Sequence, residues 1–275
     1  MTDRQPRYPW ISFTTDYGTA DGFVAACKGV LARRAPGVSV LDISHDIPPQ
    51  AITAASAVLT QTVPYLPTAV HLVVIDPGVG TARRGIAVET TSGGVLVGPD
   101  NGVLLAPAER LGGITTAVEL AESDWWLSEV SATFHGRDVF APVAAAAAMG
   151  ADIRRAGPAL PTTELVQAPA PHFRRDNDQV WAQVITIDHF GNLQLALSGT
   201  EAPWRYGESL RITTPTGNFT ARFGRTFGDV AEGDCLVLVD SAGQLAVAVN
   251  AASAASLLGT ERDQVVSIAA AEDER

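Results

Sequence analysis

Within "VVIDPGVGTARRGIAV" an apolar run stops on Asp76, a Pro-Gly-Val-Gly turn follows, and Arg83 arrives before the next apolar run begins. Pro77 pushes the backbone of Asp76 into an extended conformation. Gly78 and Gly80 let the chain double back, which can return the Arg83 guanidinium to the carboxylate. A carboxylate paired in this way keeps its charge and is a weak base alone, and arginine is no base at all. The pair suits the orientation and polarisation of a water, with a third group helping to take the proton. His135, in "ATFHGRDVF", offers that group because imidazole titrates near neutral pH. A histidine in a glycine-containing loop serves equally as a surface or helix-capping residue, and Arg137 and Asp138 beside it would make a local ion pair.

The elements that carry these residues follow from the apolar pattern. "WISFTT", "VSVLDI" and "AVHLVVI" are apolar nearly throughout, as expected of parallel strands covered on both faces. "DGFVAACKGVLARR", with Asp21 as N-cap, and "QAITAASAVLTQTV" predict helices between them. "GIAVET" and "GVLVGP" flank a "TSGG" turn and predict a hairpin, and "ITTAVEL" is another strand. "RDVFAPVAAAAAMGA" predicts a buried helix that Pro142 bends or restarts. The proline-rich stretch from Gly157 to Pro171 reads as a linker. Beyond it, "QVWAQVITID", "LQLALS", "SLRITTP", "NFTARFG", "CLVLVDS" and "QLAVAVN" are short, closely spaced strands. The expected architecture is an α/β domain over residues 1–170, with a mostly parallel sheet between helices. A smaller all-β, barrel-like domain follows over residues 171–275.

In an open parallel sheet, ligands bind beyond the carboxyl ends of the strands. Three predicted strands end in acids there: the first at Asp16, the second at Asp42 and Asp46, the third at Asp76. Any one of them would serve as a cap or turn residue. Their arrival on one edge points to a polar pocket. His45, between Asp42 and Asp46, raises the question of a metal; acids adjacent at a strand end act more simply as turn residues, and no metal is expected.

Composition narrows the function classes. The chain has 275 residues, a hydrophobic content of 46% and a formal net charge of −11, with no basic cluster larger than a local pair. Nucleic acid is disfavoured as a partner because its phosphates would be repelled. No apolar run reaches the ~18 residues of a membrane span. The polar start "MTDRQPRYPW" lacks the apolar stretch of a signal peptide. Cys27 and Cys235 make neither a disulfide framework nor a metal spacing. A soluble, cytoplasmic protein is expected. "GVGTAR" lacks the third glycine of a dinucleotide loop and precedes a strand where a helix should open. A P-loop lysine motif, G-x-S-x-G, C-x-x-C and H-E-x-x-H are all absent.

Six stretches in order, "TTDYGTADGFVAACKG", "VVIDPGVGTARR", "GPDNG", "FHGRDVFAP", "IDHFGN" and "NAAS", resemble the S-adenosyl-L-methionine hydroxide adenosyltransferases. These are relatives of the fluorinating and chlorinating enzymes that use the same substrate. The resemblance runs from about residue 10 to 260. It implies attack of water or hydroxide on the 5′ carbon, expulsion of neutral methionine and release of adenosine, with no metal or cofactor. Asp76, Arg83 and His135 match the family's water-activating trio. Asp16 matches the acid that accepts from both ribose hydroxyls, and Asp21 and Asp188 match acids near the methionine ammonium. Ser241 matches a hydroxyl near the methionine carboxylate or amine. Asn192 and the backbone at Ala251 match contacts to the adenine edge, and Phe227 matches an aromatic stacked on the base. From the residues alone, Asp188 to Asn192 could equally be a β-turn and Phe227 a core side chain. The resemblance further implies a homotrimer whose site lies between the α/β domain of one chain and the β domain of the next.

The chain departs from the halogenating relatives at informative places. "DPGV" stands where they have a Tyr–Pro–x–Thr pattern, Gly136 replaces a serine that helps hold halide, and their long insertion near "AVETTSGGVLVGP" is a short turn here. A charged Asp76 would repel a halide. Two of their arginines align with Ala242 and Val249. The competing expectations are a chlorinase-like halogenase, a non-catalytic adenosine- or S-adenosyl-L-methionine-binding protein, and hydrolysis of a related sulfonium or 5′-substituted adenosine. A binding protein would have little use for the desolvated trio.

Overall fold

In a computed structural model, which describes residues 5–121 and 124–271, the chain divides into two units after Pro169. The first contains β1 (Trp10–Thr15), α1 (Phe23–Arg34), β2 (Ser39–Ser44), α2 (Ile52–Thr62) and β3 (Val70–Val74). It continues with β4 (Gly85–Thr90), β5 (Val95–Pro99), α3 (Leu105–Arg110), β6 (Ile114–Glu119) and α4 (Ala141–Ala148). Its sheet has the order β2-β1-β3-β5-β4-β6. β1 runs parallel to β2 and β3, and β3 parallel to β5. β4 is antiparallel to β5 because only a short turn, closed by Gly93 N–H on the Thr90 carbonyl, joins them.

The strands alternate their side chains between two cores. Val70, Leu72 and Val74 pack with Val24, Cys27 and Leu31 of α1 and with α4. Val73 and Ile75 pack with Ala55 and Leu59 of α2 and with Ala108 of α3. Both faces of β3 are therefore dry, and its first polar side chain beyond the strand is Asp76.

Pro142 does restart its helix. Residues Gly136–Phe140 form a π-helical turn in which Ala141 N–H bonds the Gly136 carbonyl, and α4 begins at Ala141. Pro142 has no N–H to give the Asp138 carbonyl one turn back; Leu127 N–H takes that carbonyl at 2.9 Å. π-turns of this kind recur at functional sites, and His135 immediately precedes this one. Asp21 does not cap α1: Gly22 occupies that position and no side chain bonds the helix start. The proline-rich stretch is only partly a linker, since Leu160 and Leu165 are buried and Leu160 N–H bonds the Ala117 carbonyl of β6.

The second unit holds β7 (Phe173–Asp176), β8 (Gln179–Ile187), β9 (Leu193–Ser198), β10 (Ser209–Thr214), β11 (Gly217–Phe223), β12 (Cys235–Val239), β13 (Gln244–Val249), α5 (Ala254–Leu258) and β14 (Val265–Ala270). The strand order is β14-β10-β11-β12-β13-β9-β8-β7, and β14 pairs again with β8, closing a seven-stranded barrel. β7 adds to the outer half of β8. No helix among the described residues is long and apolar enough to cross a membrane.

Candidate active site

β1 and β3 are neighbours, with Thr15 opposite Val74, so the chain leaving each strand delivers Asp16 and Asp76 to one edge of the sheet. After Asp76 the backbone closes two successive turns, Val79 N–H on the Asp76 carbonyl and Thr81 N–H on the Gly78 carbonyl, both at 3.1 Å. Gly80 has φ +75°, and a β-carbon there would lie 2.4 Å from the Ala132 carbonyl oxygen, so only glycine fits. The chain returns Arg83 onto Asp76 as a fork: Nε to Oδ1 at 2.7 Å and Nη2 to Oδ2. Both side chains are largely withdrawn from solvent, 6% exposed for Asp76 and 13% for Arg83. The guanidinium also lies over the Phe140 ring, 5.1 Å from its centre.

Arg83 Nη2 reaches His135 Nδ1 at 2.9 Å. A guanidinium only donates, so Nδ1 is the acceptor and the hydrogen of the neutral imidazole sits on Nε2. Burial, reinforced by the Arg83 charge, holds His135 below the ordinary histidine range, against the opposing pull of Asp76 and Asp138. The trio is thus a directed chain from His135 Nδ1 through the guanidinium to the carboxylate.

Two of the three, Asp76 and His135, line a hollow of about 310 Å³ together with Asp16, Tyr17, Gln50 and Gly136 among others. Asp16 Oδ2 accepts from Gln50 N–H at 2.9 Å, and Gln50 holds φ at +66°, a strained conformation for a residue with a side chain. Tyr17 is fixed in an edge-on cluster with Phe23 and Phe134. Its hydroxyl occupies the space a side chain at position 136 would need: a β-carbon on Gly136 would stand 2.1 Å from it. Gly136→Ala should therefore cost about 1–3 kcal/mol through overpacking, and adding Tyr17→Phe should recover most of the loss. Urea denaturation of the single and double variants measures this; additive losses would contradict it.

In the second unit, Asn192, Phe227 and Ala251 come together with Phe190 and Ser253 around a hollow of about 520 Å³. Phe190 and Phe227 are exposed aromatic rings, and Ala251 has φ +59°, a second strained backbone position. Asp188 closes the loop beneath them: Oδ1 accepts from Phe190 N–H and Asn192 N–H, each at 2.9 Å, and Oδ2 from Asn192 Nδ2 at 2.8 Å. The turn that the sequence allowed is the one formed, and its effect is to aim Asn192.

Two residues stand apart. Asp21 is exposed before α1 and does not line the hollow beside Asp16. Ser241, exposed in the β12–β13 turn, is at the opposite end of β13 from Ala251. His45 bonds Thr15 Oγ1 through Nδ1 at 2.8 Å, while Nε2 lies 3.1 Å from Asp42 Oδ1. Asp42 also takes Lys28. This brace holds the Asp16 loop, and the described residues contain no group of three or more His, Cys, Asp or Glu that could hold a metal ion. Tyr17, Gln50 and Phe190 escaped the sequence reading. Tyr17 and Phe190 carried a signal, as exposed-type aromatics inside the quoted motifs; Gln50 acts through its backbone and carried none.

Comparison with known proteins covers both units. Models of the SAM hydroxide adenosyltransferase N-terminal and C-terminal domains match residues 11–157 and 182–267. An (R)-S-adenosyl-L-methionine hydrolase of Salinispora tropica is 57% identical over 251 residues, 91% of this chain and 94% of the relative. A fluorinase of an Actinoplanes species is 30% identical, over 89% of this chain and 92% of the relative. An uncharacterized conserved protein from Thermotoga maritima has a crystal structure that superimposes with a TM-score of 0.86 at 33% identity, over 94% of this chain and 99% of that one.

Proposed function

We infer the reaction from one premise: the chain belongs to the SAM hydroxide adenosyltransferase family. It hydrolyses S-adenosyl-L-methionine to adenosine and L-methionine. The relatives' name directs attention to the epimer that is R at the sulfonium, and we take that epimer as the substrate. The observation that carries the mechanism is the Asp76–Arg83–His135 chain beside the Asp16 hollow.

The sulfonium leaves as a neutral thioether, so no acid is needed at the leaving group. The difficulty is a weak nucleophile that must be aligned opposite the C5′–S bond. Alignment of reacting groups is worth up to ~7–11 kcal/mol of barrier. In the proposed step a water oxygen bonds C5′, the C5′–S electron pair stays on sulfur, and the water proton passes to Asp76. His135 does not take the proton, contrary to the expectation from its residue type, because its Nδ1 lone pair holds Arg83; its Nε2–H donates to the water oxygen and favours hydroxide character, which offsets the weak basicity of the paired Asp76. Halide in place of water would meet the Asp76 carboxylate, which disfavours the halogenase alternative. No metal or cofactor takes part in this scheme.

Asp16 is assigned to the ribose hydroxyls, Asn192 and the Ala251 backbone to the adenine edge, and Phe227 to its face. Family resemblance alone, and no contact within the chain, assigns Asp21, Asp188 and Ser241 to the methionine end. The two hollows would serve one substrate across neighbouring chains of a homotrimer, which sedimentation tests. The free, buried Cys27 and Cys235 suit a reducing, cytoplasmic location.

Purified protein supplied with the R epimer should release equal amounts of adenosine and methionine, unchanged by a chelator; recovery of intact substrate would refute the reading. Because His135 is held below its ordinary range, its neutral form persists into mildly acid solution. kcat/KM should therefore fall on acidification with its half-point below the ordinary histidine value of about 6.5. A half-point at or above that value would contradict the bonding at Nδ1.

A further inference from the structure

The loop that presents Asp76 and Arg83 is gripped at both ends by two consecutive residues just past β5. Asn101 Nδ2 donates to the Ile75 carbonyl at 2.8 Å, on the residue immediately before Asp76. Val103 N–H donates to Asn101 Oδ1 at 3.2 Å, fixing which way the amide faces. At the other end, Asp100, its side chain 1% exposed, receives Arg84 Nε at 2.9 Å and Nη2 at 2.6 Å. The Asp100 N–H donates to the Arg84 carbonyl at 2.9 Å, and Asp100 Oδ1 takes Val166 N–H at 2.9 Å. Arg84 Nη2 also bonds the Glu164 carbonyl at 2.5 Å.

The adjacent arginines thus go to different carboxylates, Arg83 to Asp76 and Arg84 to Asp100. Capture of both the Arg84 side chain and the Arg84 carbonyl by Asp100 anchors the backbone from which Arg83 projects. We propose that Asp100 and Asn101 are positioning residues of the water site: Asn101 sets Asp76 through the Ile75 carbonyl, and Asp100 sets Arg83 through Arg84. Neither touches the reacting atoms. The inference rests on the hydrolase reading, in which a displacement of about 1 Å costs on the order of 100-fold in rate.

The test compares unaltered protein with Asn101→Ala and Arg84→Gln, following adenosine release from the R epimer of S-adenosyl-L-methionine. Inactivity of the unaltered protein would refute the hydrolase reading itself. Given an active parent, each variant should lose at least about tenfold in kcat with KM within about twofold, the split expected when only transition-state alignment suffers. kcat within twofold of the parent, or KM rising in step with the loss of kcat, would overturn the positioning role. Should either variant fail to fold, Arg84→Gln combined with Asp100→Asn decides the matter, since it leaves no unpaired carboxylate at a side chain that is 1% exposed.

Discussion

Replacing Asp76 with alanine is expected to lower kcat by about 10²–10⁴-fold, the usual contribution of a positioned general base, while KM stays within a few-fold. The carboxylate is the one member of the trio with lone pairs left for a water: Arg83 only donates, and His135 Nδ1 is occupied. Asp76→Asn should be nearly as impaired, because it keeps the shape and loses the proton acceptor. The effect should concentrate in kcat, since the proposed ribose and adenine contacts lie on Asp16 and on the second unit. Steady-state kinetics on both variants measures this. Parallel losses in kcat and substrate affinity would recast Asp76 as a residue that only shapes the hollow.

Arg83→Met should abolish turnover and also destabilise the fold, by about 3–5 kcal/mol, because it strands a carboxylate that is 6% exposed. The two consequences separate in the double variant. Adding Asp76→Asn removes the stranded charge and should restore much of the stability, yet activity should stay lost. Chemical denaturation and adenosine release on the same preparations give both readouts. Recovery of activity along with stability would mean that the ion pair serves the fold and not the chemistry.

The contact between Asp76 and Arg83 was legible in the sequence because its logic is local. A strand end, a proline, two glycines and an arginine within one loop allow a returning guanidinium, and only His135 comes from elsewhere. The strands of the first sheet were legible because burial on both faces makes them apolar throughout, as in the fully buried β3. β7 was not, since all four of its residues are exposed and it carries no alternation. Part of the proline-rich stretch was misread as linker because two isolated leucines, Leu160 and Leu165, anchor it without any period. Asp188 was ambiguous for a physical reason: a carboxylate before a glycine turn can bind a ligand or close its own loop, and the residue types are the same for both. The bracing by Asp100 and Asn101 was not read, because it ties the Arg84 guanidinium and the Ile75 carbonyl to residues that the chain order keeps well apart.

Isotope analysis in ¹⁸O-labelled water tests the central claim most directly. With S-adenosyl-L-methionine as substrate, the heavy oxygen should appear in the 5′ hydroxyl of adenosine and nowhere else. Unlabelled adenosine, or label carried by a methionine-derived product, would mean that solvent does not attack C5′, and the roles given to Asp76, Arg83 and His135 would fall with it.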